Sequence, residues 1–251
     1  MNTIRISAII PCRNEEKGIT KVIDRLKPLV DEIVVVDNGS TDQTVDVARN
    51  AGARVFVENR KDRHGIGYGY AIQTGMEQAR GEYIVVVDAD GEHPVEVIPN
   101  LMNYFIDGNY DVISCNRVQR VSSKFISKVR EFGMKLLNLE VKVFYGYEMK
   151  DAISGMVMIR KKAYAMLDLK EGGWDLSPEI KLSAIAHKRL HYGEYPIISI
   201  VRESGESKQI LWKTGIQHAT YIIKHWYQHI AMPKVRQLFD RTVSIVYDRA
   251  V

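Results

Sequence analysis

Cysteine is scarce: Cys12 and Cys115 are the only two in 251 residues, and they lie far apart. Cys12 directly follows one strand-like run and Cys115 sits inside another. Two buried thiols in a reducing compartment fit this better than a disulfide framework. No stretch of about twenty consecutive apolar residues occurs, which excludes a membrane-spanning helix within this sequence. The first residues enter a short strand, Ile4 to Ile10, with neither an apolar signal core nor a cleavage-like site. Together these absences predict a cytoplasmic protein, soluble or peripheral at the cytoplasmic face of a membrane. Net charge is only +4, and zinc-finger spacing and basic–aromatic recognition motifs are missing, so nucleic acid is not an expected partner. Internal repeats and low-complexity linkers are missing too. The 45% hydrophobic content is ordinary for a globular chain with a real core.

What the sequence does have is an apolar run that stops abruptly in acid, Tyr83-Ile84-Val85-Val86-Val87-Asp88-Ala89-Asp90-Gly91-Glu92-His93-Pro94. A strand without alternation is buried on both faces, as in the sheet of an α/β domain. Its C-terminal end lies at the edge where open α/β sheets bind ligands. Carboxylates this close repel one another unless a cation or protons intervene. A solvated loop or helix cap is the other reading of an isolated Asp-X-Asp. A second strand has the same design: Glu32-Ile33-Val34-Val35-Val36 runs into Asp37-Asn38-Gly39-Ser40-Thr41-Asp42. Two such edges predict one composite site.

Strand and helix patterns alternate around these edges. Strand Ile4–Ile10 stops at Pro11 and a helix follows from about Glu15 to Leu29. Further helices are expected at about 42–51, from the Gly65-Ile66-Gly67-Tyr68-Gly69 segment to Ala79, and from Pro94 to Phe105. Strands are expected at 54–57 and 111–115. Repeated βα units predict a parallel, doubly wound sheet. After Arg117 a basic, helix-compatible segment (118–140) appears, then a strand at 156–159, a helix at 176–187 and a strand at 197–201. Helices carrying Trp212, Tyr221, Trp226 and Tyr227 follow from about Gln209. The predicted organisation is a catalytic domain over 1–208 and a C-terminal helical extension over 209–251.

The ordered motifs resemble the inverting family-2 glycosyltransferases of the GT-A fold. Pro11-Cys12-Arg13-Asn14-Glu15-Glu16 is similar to the family's Pro-X-Tyr-Asn-Glu opening, and Asp37–Asp42 resembles its Asp-Asp-Gly-Ser-Thr-Asp turn. Gly65–Gly67 matches its glycine-rich segment and Asp88-Ala89-Asp90 its metal motif. Asp151-Ala152-Ile153-Ser154-Gly155, the helix containing Glu179, and Arg202 with Gly205-Glu206-Ser207-Lys208 resemble the dolichyl-phosphate mannosyltransferase branch. The resemblance implies a GT-A α/β fold, Rossmann-like, with a mostly parallel sheet flanked by helices. It implies donor contacts by Pro11, Arg13, Glu15, Val35, Asp37, Asp88, Ala89, Arg202 and Lys208. Arg13 replaces the family's Tyr, though a guanidinium can also stack on a base. Glu15 is equally readable as a first-turn acid favoured by the helix dipole. For Asn38 a turn role suffices.

Asp88, Asp90 and Glu92 are the expected ligands of Mg²⁺ or Mn²⁺, with Asp90 direct and Asp88 acting through water or on the ribose. His93 is either a further ligand or the start of the next turn. Asp90, Asp151 and Arg202 are the expected catalytic residues. Asp151 either orients the acceptor, serves as base for a hydroxyl, or is a strand-entry turn. Arg117 and Arg130 suit an acceptor phosphate because arginines present forked donors to phosphate oxygens; for Arg130 a solvated helix face is the other reading. The implied reaction is hexose transfer, mannose from GDP-mannose, to a polyprenyl or dolichyl phosphate. The alternative is a UDP-sugar donor with a lipid phosphate or glycan hydroxyl. A sugar-nucleotide nucleotidyltransferase would need a glycine-rich N-terminal loop, and Pro11–Glu16 has no glycine. The basic 118–140 segment and the aromatic C-terminal helices fit peripheral membrane contact; core packing or a homodimer interface is the competing reading.

Overall fold

The computed structural model describes residues 5–120, 124–199 and 211–234. Seven strands form one sheet: β1 (Ile6–Cys12), β2 (Glu32–Asp37), β3 (Arg54–Val57), β4 (Tyr83–Val86), β5 (Val112–Arg120), β6 (Val157–Arg160) and β7 (Tyr192–Ser199). Their order is β3-β2-β1-β4-β6-β5-β7. Among the described residues, eight α-helices flank them: α1 (Ile19–Leu26), α2 (Thr44–Asn50), α3 (Tyr68–Gln78), α4 (Ile98–Asp107), α5 (Lys124–Tyr145), α6 (Lys161–Leu167), α7 (Leu176–Ala186) and α8 (Leu211–Trp226).

The unalternating apolar strands explain the three layers. In β4, Tyr83 and Val85 enter a core with Ile19, Ile23, Leu101 and Phe105 of α1 and α4. Ile84 and Val86 enter the opposite core, with Ile72 and Met76 of α3 and Ile180 of α7. Successive side chains of a strand point to opposite faces, so a strand covered on both sides is apolar throughout.

β1 runs through Pro11 rather than stopping before it. Its pairing with β2 continues to Cys12–Asp37, whereas its pairing with β4 ends at Ile9–Val86. Proline has no N–H to extend that ladder. The sheet is not wholly parallel: β6 is antiparallel to both β4 and β5. Hydrophobic periodicity carries no information on strand direction, so this reversal was not foreseen. Its consequence is functional, because the loop entering β6 lies at the same edge as the acidic loop leaving β4.

Other differences are local. β5 extends to Arg120, α5 begins at Lys124 and reaches Tyr145, and α6 was not expected. β7 begins at Tyr192 rather than Ile197. Both cysteines are free and buried. α8 packs on α5, with the Tyr145 hydroxyl donating to the Ile222 carbonyl at 3.3 Å.

Candidate active site

The chain order reverses between β1 and β4, the neighbours at the centre of the sheet. β1 leads outward to β2 and β3 on one side, and β4 leads to the other strands. Loops diverging from such a switch point leave a crevice at the carboxyl edge. Here that crevice is a cleft of about 1000 Å³. Pro11, Arg13 and Glu15 line it from the β1 exit, Asp88 to Asp90 and Glu92 from the β4 exit, and Arg117 from β5. A second, apolar arm lies between α5 and α8, with Phe132 and Leu136 on one wall and Trp212 and Ile216 on the other.

Asn14 holds the β1 exit in a left-handed conformation (φ 53°) that asparagine tolerates. Its N–H donates to Ser40 Oγ at 2.8 Å and its Oδ1 accepts the Thr41 N–H at 2.8 Å. Glu15 precedes α1, which has no acidic residue in its first turn. The Glu15 carbonyl accepts the Gly18 and Ile19 N–H groups at 3.1 and 3.0 Å, so the residue opens the turn leading into α1, and its buried side chain lines the cleft.

Two expected donor contacts have other roles. Val35 is fully buried in the core under the sheet, facing α1 rather than the cleft. Asp37 is 3% exposed, and its carboxylate accepts the N–H groups of Gly39 and Ser40, each at 3.1 Å to Oδ2, and the Ser40 hydroxyl. It shapes the turn after β2 and is absent from the cleft lining. Asn38 does line the cleft, and its amide donates to the Glu58 carbonyl at 2.8 Å.

The acidic loop is built around Asp88. Tyr68 donates its hydroxyl to Asp88 Oδ1 at 2.9 Å, and burial with the charges of Asp88 and Asp90 raises the phenol well above its ordinary pKa. The Asp88 N–H donates to His93 Nδ1 at 3.0 Å, and His93 Nε2 stands 3.7 Å from Asp88 Oδ2. Both ring nitrogens therefore face Asp88, so His93 props the loop and is not placed as a metal ligand. Gly91 takes φ 78°, a turn that a side chain would strain, and lets the Glu92 N–H donate to Asp90 Oδ1 at 3.0 Å. Gly155, from the loop entering antiparallel β6, closes on this group. A Cβ there would lie 3.0 Å from the Tyr68 hydroxyl and 3.2 Å from Asp88 Oδ2.

Among the described residues, no three His, Cys, Asp or Glu side chains converge as a ready-made metal cage. Asp88 is engaged by Tyr68 and His93. The donor set still fits Mg²⁺ or Mn²⁺. Such ions take hard oxygen ligands, commonly one or two carboxylates completed by phosphate oxygens and water, and Asp90, Asp88 and Glu92 share the cleft wall.

Asp151 is 1% exposed and grips Arg117 with both oxygens: Nε donates to Oδ2 at 2.6 Å and an Nη to Oδ1 at 2.8 Å. Burial alone would raise its pKa, but the Arg117 charge and hydrogen bonds, with Lys181, bring it down to about 2. A carboxylate so bound is a poor base. The expectation of a catalytic base at Asp151 is corrected to the counter-charge that positions Arg117. Arg117 itself is raised above its ordinary value, burial opposing and Asp151, Glu92 and Asp88 favouring its charge. The side chain of Arg130, and Arg202 and Lys208 altogether, lie outside the described residues.

Sequence reasoning missed Tyr68, Trp174, Asp175 and His218. Tyr68 and Trp174 pack ring to ring at 4.7 Å. His218 Nδ1 donates to Asp175 Oδ1 at 2.8 Å, and both residues are buried. A signal existed: Thr214, His218 and His225 share the inward face of α8 with Tyr221 and Ile222, and polar side chains on a buried helix face call for partners.

Comparison with known proteins bears on the family and the fold. The model for glycosyl transferase family 2 matches residues 7–167. Low-salt glycan biosynthesis hexosyltransferase Agl6 of Haloferax volcanii is 32% identical over 225 residues, covering 87% of this chain and 53% of its own length. Dolichol-phosphate mannosyltransferase of Pyrococcus furiosus is 28% identical, covering 88% of this chain and 63% of its own. Undecaprenyl-phosphate 4-deoxy-4-formamido-L-arabinose transferase of Pseudomonas syringae pv. syringae is 31% identical, with 81% and 60% covered. The chain thus spans little more than half the length of these relatives. Glucosyl-3-phosphoglycerate synthase from Mycobacterium tuberculosis, solved with Mn²⁺, UDP and phosphoglyceric acid, shares the fold at a TM-score of 0.65 and 21% identity, covering 90% of this chain and 78% of that one.

Proposed function

This chain belongs to glycosyl transferase family 2, and from that premise we propose that it transfers a hexose from a nucleotide sugar to a polyprenyl phosphate, with inversion and with a divalent cation. The observation that carries the reading is the two-ended cleft: acids and Arg117 at the sheet edge, an apolar arm between α5 and α8. A nucleotide diphosphate suits the first and a lipid tail the second. Mannose from GDP-mannose is the favoured donor, supported by the likeness to a dolichol-phosphate mannosyltransferase.

Pro11, Arg13, Glu15 and Asn38 would flank the nucleoside, and Asp90 with Asp88 or Glu92 would hold Mg²⁺ or Mn²⁺. The cation's contribution is charge neutralisation on the leaving diphosphate. Tyr68 and His93 hold Asp88 in place, and Gly155, without a Cβ, makes room for the Tyr68–Asp88 pair. An acceptor phosphate is already anionic near neutral pH, its second pKa being about 6, so it attacks the anomeric carbon without a general base. The Arg117–Asp151 pair supports this choice over a glycan hydroxyl, because the carboxylate that might have served as base is occupied. Arg117 would steer the attacking phosphate.

Beyond the arm, Leu139 and Val143 of α5 and Ile223 of α8 are exposed and would rest on the membrane that holds such an acceptor. No helix among the described residues is long and apolar enough to cross a membrane. A donor screen tests the proposal: GDP-mannose, UDP-glucose and UDP-N-acetylglucosamine with polyprenyl phosphate, before and after chelation. Transfer should require the cation and favour GDP-mannose; cation-independent transfer, or a preference for free glycan acceptors, would refute it.

A further inference from the structure

His218 lies where the two ends of the cleft meet. Its neighbours on α8, Gly215 and Ala219, line the apolar arm, and its partner Asp175 follows Trp174, which packs on Tyr68 and so on Asp88. The imidazole is 3% exposed yet belongs to the cleft wall. Asp175 takes the Nδ1 proton at 2.8 Å and is itself held by Gln217 Nε2 at 2.6 Å. This fixes the ring with Nε2 directed away from the carboxylate, and no described residue is hydrogen-bonded to it. Two mid-helix glycines flank the arm, Gly133 on α5 and Gly215 on α8, and a Cβ at either would meet nothing within 4 Å. Glycine inside a helix is unfavourable, and here packing does not demand it; both leave the passage between the helices wide.

We infer that His218, oriented by Asp175, binds the phosphate head of an amphiphilic acceptor whose apolar chain leaves between α5 and α8 past Gly133 and Gly215. This rests on the lipid-phosphate reading above and adds to it a specificity residue that neither the motifs nor Arg117 provides. With Nδ1–H held by Asp175, Nε2 accepts the bond from the remaining P–O–H of the phosphate monoester, and the apolar arm takes the first isoprene units.

Farnesyl phosphate binding, followed by the fluorescence of Trp174 and Trp212 in the cleft, tests the assignment in the intact chain. Asparagine reproduces the Nδ1 position of histidine and glutamine the Nε2 position. His218→Asn therefore keeps the bond to Asp175 but loses the atom that meets the phosphate, and should weaken farnesyl phosphate about 10- to 100-fold while GDP affinity stays at the wild-type value. His218→Gln should bind more tightly than His218→Asn even if it melts earlier. Gly215→Leu should remove the advantage of farnesyl phosphate over isopentenyl phosphate. Reversal of the Asn–Gln order, or unchanged binding in both, would overturn the role of His218, leaving only a structural bond to Asp175. An unbroken chain-length advantage in Gly215→Leu would overturn the passage. Wild-type protein that binds no farnesyl phosphate would instead refute the lipid-phosphate reading itself.

Discussion

Replacing Asp151 with alanine removes the counter-charge of a buried guanidinium. Arg117 keeps 11% of its side chain accessible and Asp151 1%, so water cannot take over the lost bonds. Three of them end on this carboxylate from Arg117 alone, counting the backbone N–H at 3.3 Å, and a fourth comes from the Ile153 N–H at 3.2 Å. Lys181 adds a second buried amine whose Nζ donates to the Asp151 and Ser154 carbonyls at 3.2 and 2.8 Å. Breaking a buried pair by removing one partner costs about 3–5 kcal/mol. For a chain of this size that corresponds to a fall in melting temperature of roughly 6–20 °C. The pH dependence has a definite sign. Asp151 is held at about 2, below the ordinary 3.8, so its contribution is present above pH 4 and lost as pH falls from about 4 towards 2. Differential scanning calorimetry of wild type and Asp151→Ala at pH 7 and pH 3 measures both effects. The difference between them should be large at pH 7 and smaller at pH 3. An alanine variant that melts within about 1 °C of wild type, yet has lost turnover, would restore Asp151 as a catalytic base and refute the positioning role.

Three further outcomes follow from the same geometry. Asp90→Ala should lose turnover and Mn²⁺ binding together, whereas Glu92→Gln should keep turnover within about tenfold; metal titration by calorimetry separates the two. Gly155→Ala places a methyl 3.0 Å from the Tyr68 hydroxyl and 3.2 Å from Asp88 Oδ2, so it should lower turnover more than stability, read by comparing kcat with Tm. Burial lowers the Lys181 amine to about 7. The unfolded chain therefore binds more protons above that pH, and stability should rise from pH 7 towards 10; Lys181→Met should flatten this slope in urea titrations.

The strands and the ligand-binding edge were legible because β4 and β2 are apolar on both faces and end in acid, a pattern with few alternatives. Asp90, Glu92 and Arg117, expected in the site, all line the cleft. Asp37 and Val35 were misjudged because a family motif does not distinguish a side chain that faces the ligand from one that faces its own turn or the core. The Asp151–Arg117 pair was not legible because Arg117 comes from β5, and the reversal of β6 that joins them leaves no trace in hydrophobic spacing. The apolar arm depended on α5 meeting α8, elements about seventy residues apart, so Gly133 and Gly215 carried no signal singly. His218 was overlooked among aromatic neighbours, although a histidine on the buried stripe of α8 needed a partner.

The most direct test follows labelled sugar from GDP-mannose in the presence of polyprenyl phosphate and Mn²⁺, with organic extraction and NMR of the product. The account predicts label in a lipid-linked phosphodiester whose anomeric configuration is opposite to that of the donor, with no transfer after chelation. Label that stays in the aqueous phase for GDP-mannose and every UDP-sugar, or a product that retains the donor's configuration, would contradict it.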